Sequence, residues 1–307
     1  MELRQLRSLI TLVENGFSVS RAADHLCLVQ SAVSQHISRL EEEIGVKLFL
    51  RHGKRLINLT ETGEQVVQHA YRVLADTRYI LDIGQERMAQ STGTLSIGAT
   101  HTQARYILPP VIKAFRNKFP AIELRIHQGT PEQLVDMAIK NSVDFSICTE
   151  ALGNYTELTS LPCYRWNRSV IAPLGHPIMQ RKKITLKTLC EYPMITYVFG
   201  FTGRGHFSDT FAKANLSPNV ILSATDTDII KTYVREGPGI GIIASLAYSS
   251  KADKDLERRD LEALFPWETT KIAYHKDKFL RHFQQHFIKL FLEQASKPNH
   301  WPGLLPC

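Results

Sequence analysis

The sequence predicts a two-part protein: an N-terminal all-α winged helix-turn-helix domain with a long linker helix, and a C-terminal α/β domain of two sub-domains. Two short amphipathic helices joined by a turn lie within 18–39, a narrow apolar stripe follows over 64–90, and strands alternate with helices from Thr92. The expected domains are 1–59, 60–90 and 91–307, with sub-domain I at about 91–163 and 266–293 and sub-domain II at about 164–265.

The helix-turn-helix is predicted from its caps and its inward stripe. Ser18 is a favourable N-cap for the first helix, and Val33, Ile37 and Leu40 share one side of the second, which Gly45 ends. The outward side carries hydroxyls, amides and a guanidinium: Gln30, Ser31, Ser34, Gln35, Ser38 and Arg39. Such groups pair with base edges and phosphates, so this face is predicted to read DNA in the major groove. The alternative is an ordinary solvated helix pair.

A basic segment follows the second helix. Residues 47–60 contain no acid, and Gly53 permits a hairpin-like turn. Arg51, Lys54 and Arg55, together with Lys47, indicate a wing that lies on phosphates. Such contacts position a protein on DNA and make binding depend on salt.

The N-terminal segment resembles the LysR-type transcriptional regulators. The resemblance is carried in order by AADHL (22–26), QSAVSQHISRLEEEIGVKLFLR (30–51) and NLTETG (58–63). Val29 and Thr62 depart from the family pattern. Val29 leaves the second helix, which is predicted to read DNA, without a good N-cap. The resemblance implies a homo-oligomeric cytoplasmic protein that binds double-stranded promoter DNA, with RNA polymerase as a further partner.

Composition supports this interpretation only through local charge. The chain has a net charge of +7, yet residues 1–90 contain eleven Lys and Arg against eleven Asp and Glu. Five scattered cysteines, an odd number, indicate reduced thiols rather than disulfides or zinc ligands. The sequence shows no membrane span and no signal peptide, so a cytoplasmic location away from membranes is expected.

The linker helix is predicted to dimerise. Its apolar stripe recurs at three- and four-residue steps: Val66, Ala70, Val73, Thr77, Ile80, Leu81 and Gly84. A stripe so narrow on a helix so long usually needs a partner helix, which indicates a dimerisation seam. The alternative is that the stripe packs against its own domain.

The alternation after Thr92 predicts mainly parallel sheets covered by helices. Two crossovers, near 163–166 and 265–268, would leave a cleft between the sub-domains. This arrangement resembles the periplasmic-binding-protein-like effector domain of the LysR-type family, and clefts of this kind bind small ligands.

Hydroxyl and amide groups mark the predicted cleft. Thr100, Thr102 and Gln103 lie where a strand turns into a helix, and unpaired N–H groups at a helix N-terminus attract anions. Thr149 ends another strand, and Thr202 lies between glycines that permit close backbone approach. The alternative for each threonine is plain helix or strand capping.

Several segments resemble the CysB/Cbl-like branch of the family, which regulates sulfur assimilation. The matching runs include THTQARY, DFSICTEAL, LPCYRWNR and TYVFGFTGR. The resemblance implies an activator of cysteine biosynthesis genes, a dimer or tetramer, with sulfate, O-acetylserine, N-acetylserine or adenosine phosphosulfate as effector. The matching effector residues are Thr100, Thr102, Gln103, Thr149 and Thr202. The alternatives are a Cbl-like regulator of organosulfur (sulfonate) use and, from another class, an oxyanion solute-binding protein.

Enzyme motifs are not evident in the sequence. Gly237, Gly239 and Gly241 imitate a dinucleotide loop, but they follow a helix and precede a strand, the reverse of the required order. The sequence has no G-x-S-x-G and no H-E-x-x-H, and we expect structural roles for its histidines. We therefore expect no catalytic activity, no metal and no cofactor beyond the effector.

Overall fold

The computed structural model describes residues 1–53, 55–87, 92–153, 155–198, 204–295 and 304–306. The backbone divides into two units, Met1–Gln90 and Ser91–Cys307, and each has a hydrophobic core of its own. Two predicted site residues, Lys54 and Thr202, lie outside the described residues.

The N-terminal unit has the predicted helix-turn-helix and wing. Its first elements are α1 (Leu3–Glu14), α2 (Val19–Leu26), α3 (Gln30–Ile44), β1 (Phe49–His52) and β2 (Arg55–Leu59). The Ser18 hydroxyl accepts a hydrogen bond from the Arg21 N–H at 3.4 Å and so caps α2. Cys27 ends α2 with a left-handed φ of 54°, and Gly45 ends α3 with a φ of 82°. The end of α3 at Gly45 is where the sequence predicts it.

The fourth helix, α4 (Glu61–Arg87), begins directly after the wing. The Thr60 hydroxyl donates to the Lys47 carbonyl at 2.9 Å and accepts from the Gly63 N–H at 2.9 Å. A Cβ on Gly63 would lie 2.1 Å from the Leu48 carbonyl oxygen. Only glycine therefore lets α4 approach the wing this closely.

The apolar stripe of α4 changes its role along the helix. Ala70 is buried in the N-terminal core, and Val66 packs against that core. Farther along, Val73, Ile80 and Leu81 are exposed. The prediction of one continuous seam is wrong for the first turns, because those turns fill the core beside α1. For the later, exposed residues the role as a dimerisation seam stays a prediction.

The C-terminal unit contains two mixed sheets. The larger sheet comprises β3 (Gly93–Ala99), β4 (Ile122–Gln128), β5 (Phe145–Cys148), β6 (Leu158–Trp166), β12 (Glu268–His275) and β13 (Leu304–Pro306), in the order β13-β6-β12-β5-β3-β4. The smaller comprises β7 (Arg168–Pro173), β8 (Met194–Tyr197), β9 (Val220–Ala224), β10 (Ile240–Ala244) and β11 (Leu256–Asp260), in the order β11-β7-β10-β8-β9.

Strand direction corrects one expectation. In the larger sheet β4, β3 and β5 run parallel, as do β9, β8 and β10 in the smaller sheet. The pairs β12–β5, β12–β6, β13–β6, β10–β7 and β11–β7 are antiparallel. The prediction of mainly parallel sheets is therefore wrong, because strands next to the two crossovers enter each sheet from the opposite end.

Helices cover both sheets. They are α5 (Leu108–Lys118), α6 (Pro131–Ile139), α7 (Leu186–Cys190), α8 (Arg204–Lys213), α9 (Thr227–Arg235) and α10 (His282–Ala295). A capping box formed by Thr130 and Gln133 begins α6, and both of its hydrogen bonds form. A π-helical turn over Gln103–Ile107 leads into α5. Such turns often occur at functional sites.

The two crossovers between the sheets lie side by side. Arg168, which begins β7, forms an ion pair of 2.7 Å with Glu268, which begins β12, and both side chains are buried. The Asn167 amide donates to the Phe265 carbonyl at 3.0 Å. These contacts tie the outgoing crossover to the returning one.

Candidate functional site

The reading face of α3 is open to solvent. Gln30, Ser31, Ser34, Gln35 and Arg39 are exposed and Ser38 is half-buried, whereas Val33, Ile37 and Leu40 on the opposite side are in the core. The structure therefore brings all six predicted DNA-contact residues of α3 onto its outward side, with Ser38 at the margin. Their contacts with DNA stay a prediction.

A groove beside α3 adds residues that the sequence interpretation missed. It has a volume of about 530 Å³ and is lined by Ser18, Ser20 and Arg21 at the start of α2, by Gln30 of α3 and by Arg55 of the wing. N–H groups, hydroxyls and guanidinium groups can all bind a phosphate oxygen. The signal was available in the sequence, because Ser-x-Ser-Arg lies at a predicted helix start.

A buried carboxylate on α3 accepts hydrogen bonds from residues of the wing and the segment that leads into it. Glu41 of α3 is 2 % exposed and accepts hydrogen bonds from the Leu48 N–H at 3.0 Å, from Lys47 Nζ at 2.9 Å and from Arg51 Nη2 at 3.4 Å. Burial opposes ionisation, but these hydrogen bonds outweigh it and lower the pKa of the Glu41 carboxyl. Arg51 is thus partly neutralised within the chain, while Arg55 has an exposed side chain.

The predicted effector residues gather at the carboxyl edge of the larger sheet. Strands β3 and β5 are adjacent and parallel, with Ala99 opposite Ile147, so the residues that follow them lie close together. Thr100, Thr102 and Gln103 are buried after β3, and Thr149 is half-buried after β5. The structure thus groups four of the five predicted residues, and their role in binding an effector stays a prediction.

A hydrogen-bonded chain joins two of these residues. Gln103 Nε2 donates to Thr270 Oγ1 at 3.5 Å, and the Thr270 and Thr149 hydroxyls lie 3.1 Å apart. The Trp166 indole N–H donates to Thr149 Oγ1 at 3.2 Å, and the Tyr164 hydroxyl donates to Gln103 Oε1. Thr270, Tyr164 and Trp166 were not predicted as site residues. Tyr164 and Trp166 lie in the run LPCYRWNR, but only the fold shows their contact with the site.

The smaller sheet contributes polar groups to the opposite side of the site. The Tyr197 hydroxyl lies 2.6 Å from the Thr227 hydroxyl and accepts from the Ala244 N–H at 3.1 Å. Burial raises the pKa of Tyr197, which keeps the phenol neutral. The buried Thr102 hydroxyl lies close to Tyr197, and among the described residues it makes no hydrogen bond of good geometry. Its contact with an effector stays a prediction.

Both sub-domains meet at one carboxylate on α9. Asp228 Oδ1 accepts from the Tyr106 hydroxyl at 2.6 Å, and Asp228 Oδ2 accepts from Arg105 Nε at 3.2 Å. His101 Nε2 lies 3.8 Å from the same carboxylate. Tyr106, Arg105 and His101 follow β3, so these contacts bridge the two sub-domains beside the predicted effector residues.

Among the described residues, no group of three or more His, Cys, Asp or Glu side chains is arranged to hold a metal ion. No helix there is long and apolar enough to cross a membrane.

Two family descriptions match the sequence. Residues 3–64 match the bacterial regulatory helix-turn-helix protein, lysR family, and residues 89–296 match the LysR substrate binding domain. Together they cover both units of the fold.

Individual proteins agree with the family matches. The HTH-type transcriptional regulator SsuR of Burkholderia cenocepacia is 40% identical over 291 residues, covering 95% of this chain and 94% of the relative. The regulator CysB of the same organism is 40% identical over 305 residues, covering 97% of each. The crystal structure of the cofactor-binding domain of the Cbl transcriptional regulator is 36% identical, with a TM-score of 0.63, and covers 69% of this chain and 95% of that one. The chain therefore belongs to the LysR family of DNA-binding transcriptional regulators.

Proposed function

We propose that the protein activates genes of sulfur assimilation and cysteine biosynthesis when a small anionic sulfur metabolite occupies the cleft of its C-terminal unit. The observation that carries the proposal is the grouping of Thr100, Thr102, Gln103 and Thr149 at one sheet edge. Similarity to the regulators CysB, SsuR and Cbl supports the choice of pathway.

The chemistry of the grouped residues favours an anion held by neutral donors. Hydroxyls, an amide and backbone N–H groups can surround an oxyanion without an ion pair, because their dipoles all point toward it. The candidate effectors are sulfate, O-acetylserine, N-acetylserine and adenosine phosphosulfate. Each carries a fully ionised sulfate or carboxylate group that such donors can bind.

Calorimetric titration of the full-length protein with these four compounds tests the proposal. Selective binding of one compound is expected, and Thr102→Ala should weaken it by about tenfold, the usual effect of losing one hydrogen bond to a charged group. Thr94→Ala, at the far end of the strand that precedes Thr102, is the matched control. If none of the four compounds binds, the sulfur assignment is overturned and only the family assignment stands.

A regulator of sulfonate use is the second candidate, favoured by the likeness to the Cbl effector domain. It differs from the first in its effector, since a sulfated nucleotide is expected to replace acetylserine. Tight binding of adenosine phosphosulfate and no binding of O-acetylserine or N-acetylserine would favour this candidate. The solute-binding alternative does not account for the helix-turn-helix unit.

In the proposed mechanism a homo-oligomer binds two or more sites on double-stranded promoter DNA. The effector acts only through a difference in affinity between two arrangements of that oligomer. The exposed part of α4 supplies the contact between subunits, in a dimer or a tetramer, and RNA polymerase is a further partner. We assign the protein to the cytoplasm, with no catalytic activity or cofactor of its own.

A further inference from the structure

A basic segment lies between β7 and β8 of the smaller sheet, outside the predicted DNA interface. Residues 158–190 contain no Asp or Glu, and three lysines of this run, Lys182, Lys183 and Lys187, are exposed. Among the described residues, none of the three forms an ion pair. We call these three residues the lysine patch. Its positive charge is not neutralised within the chain.

The backbone that carries the lysine patch is held in place by the smaller sheet. Ile184 and Leu189, on either side of Lys187, are buried in the core of that sheet. The Arg259 guanidinium, on β11, donates to the Met179 carbonyl at 3.4 Å and to the Arg181 carbonyl. A partner that binds the patch therefore meets an ordered backbone, which lowers the entropic cost of association.

Positive charge is distributed unevenly between the two units of the chain. The eleven Lys and Arg of residues 1–90 are balanced by eleven Asp and Glu, so the whole net charge of +7 belongs to residues 91–307. This DNA-binding protein thus carries its excess positive charge outside the unit that contains the helix-turn-helix. A positive surface attracts the phosphates of DNA whatever the base sequence.

The composition of the lysine patch favours DNA over a protein as its occupant. The exposed residues of 181–187 are all Lys or Arg, and Arg181 is paired with Glu191 at 2.6 Å. Protein interfaces are depleted in lysine and depend on aromatic or apolar anchors. Lysine is, in contrast, a common partner of phosphate oxygens. Charge complementarity without an exposed apolar anchor therefore points to a nucleic acid backbone.

We propose that the lysine patch is a second DNA-contact surface, which binds backbone phosphates of the same DNA molecule that α3 reads. The patch adds affinity without adding sequence specificity, because phosphates are alike at every base pair. This inference goes beyond the proposed function and does not depend on which effector binds. It requires only that the protein binds DNA.

Titration of the full-length protein with DNA at several salt concentrations tests the inference. The DNA is an operator selected by the protein from a random library, with fixed flanks on both sides. The variant Lys182→Gln/Lys183→Gln/Lys187→Gln removes three charges. Each lost phosphate contact reduces the slope of log affinity against log salt by about 0.9, so the decline in affinity between about 50 and 200 mM salt should become about 40-fold smaller.

Hydroxyl-radical footprinting supplies a second measurement on the same complexes. The triple variant should lose backbone protection at positions apart from the half-sites and keep the protection at the half-sites themselves. Lys182→Gln/Lys183→Gln leaves α7 unchanged and serves if the triple variant does not fold. Loss of two contacts should make the decline in affinity over the same salt range about 12-fold smaller.

A matched control removes the same charge elsewhere on the C-terminal unit. Lys113→Gln/Arg116→Gln/Lys276→Gln changes three exposed cations beside the larger sheet. The control should leave the salt dependence and the footprint unchanged. An equal effect of the control and the patch variant would attribute binding to net charge alone and overturn the inference.

Two further outcomes would also overturn the inference. One is a folded patch variant with the salt dependence and the footprint of wild type. The other is a patch variant that binds DNA like wild type but no longer activates transcription, which would show that the lysines meet an acidic protein surface instead. Neither outcome bears on the effector, so the proposed function is tested separately.

Discussion

The Tyr106 hydroxyl donates a 2.6 Å hydrogen bond to Asp228 and so joins the two sub-domains of the C-terminal unit. Burial opposes ionisation of Asp228, but the hydrogen bonds from Tyr106 and Arg105 outweigh it and lower the pKa of the carboxyl. Burial and the same hydrogen bond raise the pKa of Tyr106, so the phenol stays protonated and can donate.

Asp228→Asn should lower the stability of the C-terminal unit at neutral pH. The Asp228 side chain is 44% exposed, so solvent screening limits the expected loss of unfolding free energy to about 1 kcal/mol or less. A depressed pKa stabilises the fold above about pH 4, the unfolded value, and that stability is lost as the pH falls through the folded value. Urea unfolding should therefore separate the variant from wild type at neutral pH and bring them together in acid.

Glu262→Gln is the control for Asp228→Asn. Glu262 is exposed, and its substitution should leave unfolding unchanged at every pH. A difference between Asp228→Asn and wild type that persisted in strong acid would contradict the electrostatic explanation.

Glu41→Gln should destabilise the N-terminal unit by about 1–3 kcal/mol, because a buried carboxylate with three donors is replaced by a neutral amide. Because the pKa of Glu41 is lowered, its contribution to the free energy of unfolding depends on pH in the same direction as that of Asp228. Its contribution is complete above about pH 4.3 and disappears as the pH falls through the folded value. Thermal unfolding across that range measures the effect. Glu42→Gln, at the next and exposed position, should unfold like wild type.

Val29→Ser should stabilise α3. Val29 occupies the N-cap with an extended backbone, φ −80° and ψ 150°, but makes no side-chain hydrogen bond. A serine there can accept from a free N–H of the first turn, which is worth about 1 kcal/mol. Chemical unfolding should show the gain, while Val29→Ala should show none. Stabilisation by both variants would indicate that loss of the exposed valine, and not capping, is responsible.

Substitutions in the predicted DNA interface should either reduce sequence discrimination or weaken DNA binding in general. Gln35→Ala should reduce discrimination between operator and random DNA by about 1–3 kcal/mol, because an amide that reads base edges is removed. Arg55→Ala should weaken binding to both DNAs alike and lower the dependence of affinity on salt by about one charge. Fluorescence titrations at several salt concentrations distinguish them. The same loss of discrimination from Arg55→Ala as from Gln35→Ala would argue against this division of roles.

A charge introduced in the exposed part of α4 should weaken assembly of the oligomer. Ile80 is 68% exposed, and burying such a side chain in a subunit interface is worth about 1.5–3 kcal/mol. Ile80→Glu should therefore raise the dissociation constant of the oligomer at least about tenfold in sedimentation experiments. Gln68→Glu adds the same charge at an exposed position outside the stripe and should leave assembly unchanged. Intact oligomers of Ile80→Glu would place the interface elsewhere.

Local rules predicted most of the N-terminal unit. The caps at Ser18 and Gly45 and the inward stripe of α3 depend on residues within a few positions of each other, so the sequence displays them directly. Glu41 is different: it stands in a run of three glutamates, and only the return of the wing shows which one turns inward.

Contacts between distant segments set the limit of prediction in the C-terminal unit. Thr270 meets Gln103 across 167 positions, and Asp228 meets Tyr106 across 122. No periodicity in the sequence records such separations. The prediction of mainly parallel sheets is wrong for the same reason, since strand direction depends on where the chain crosses between the sheets and not on the residues of each strand.

The division of α4 between core and exposed stripe has a geometric consequence. Ala70 is anchored in the core that also holds α3, and Ile80 lies on the same uninterrupted helix. A subunit interface at Ile80 would therefore couple rigidly to the orientation of each α3. One residue inserted between Ala70 and Ile80 would rotate the two by about 100° and shift them by about 1.5 Å. With the interface at Ile80, the length of this helix would set the rotational phase between operator half-sites.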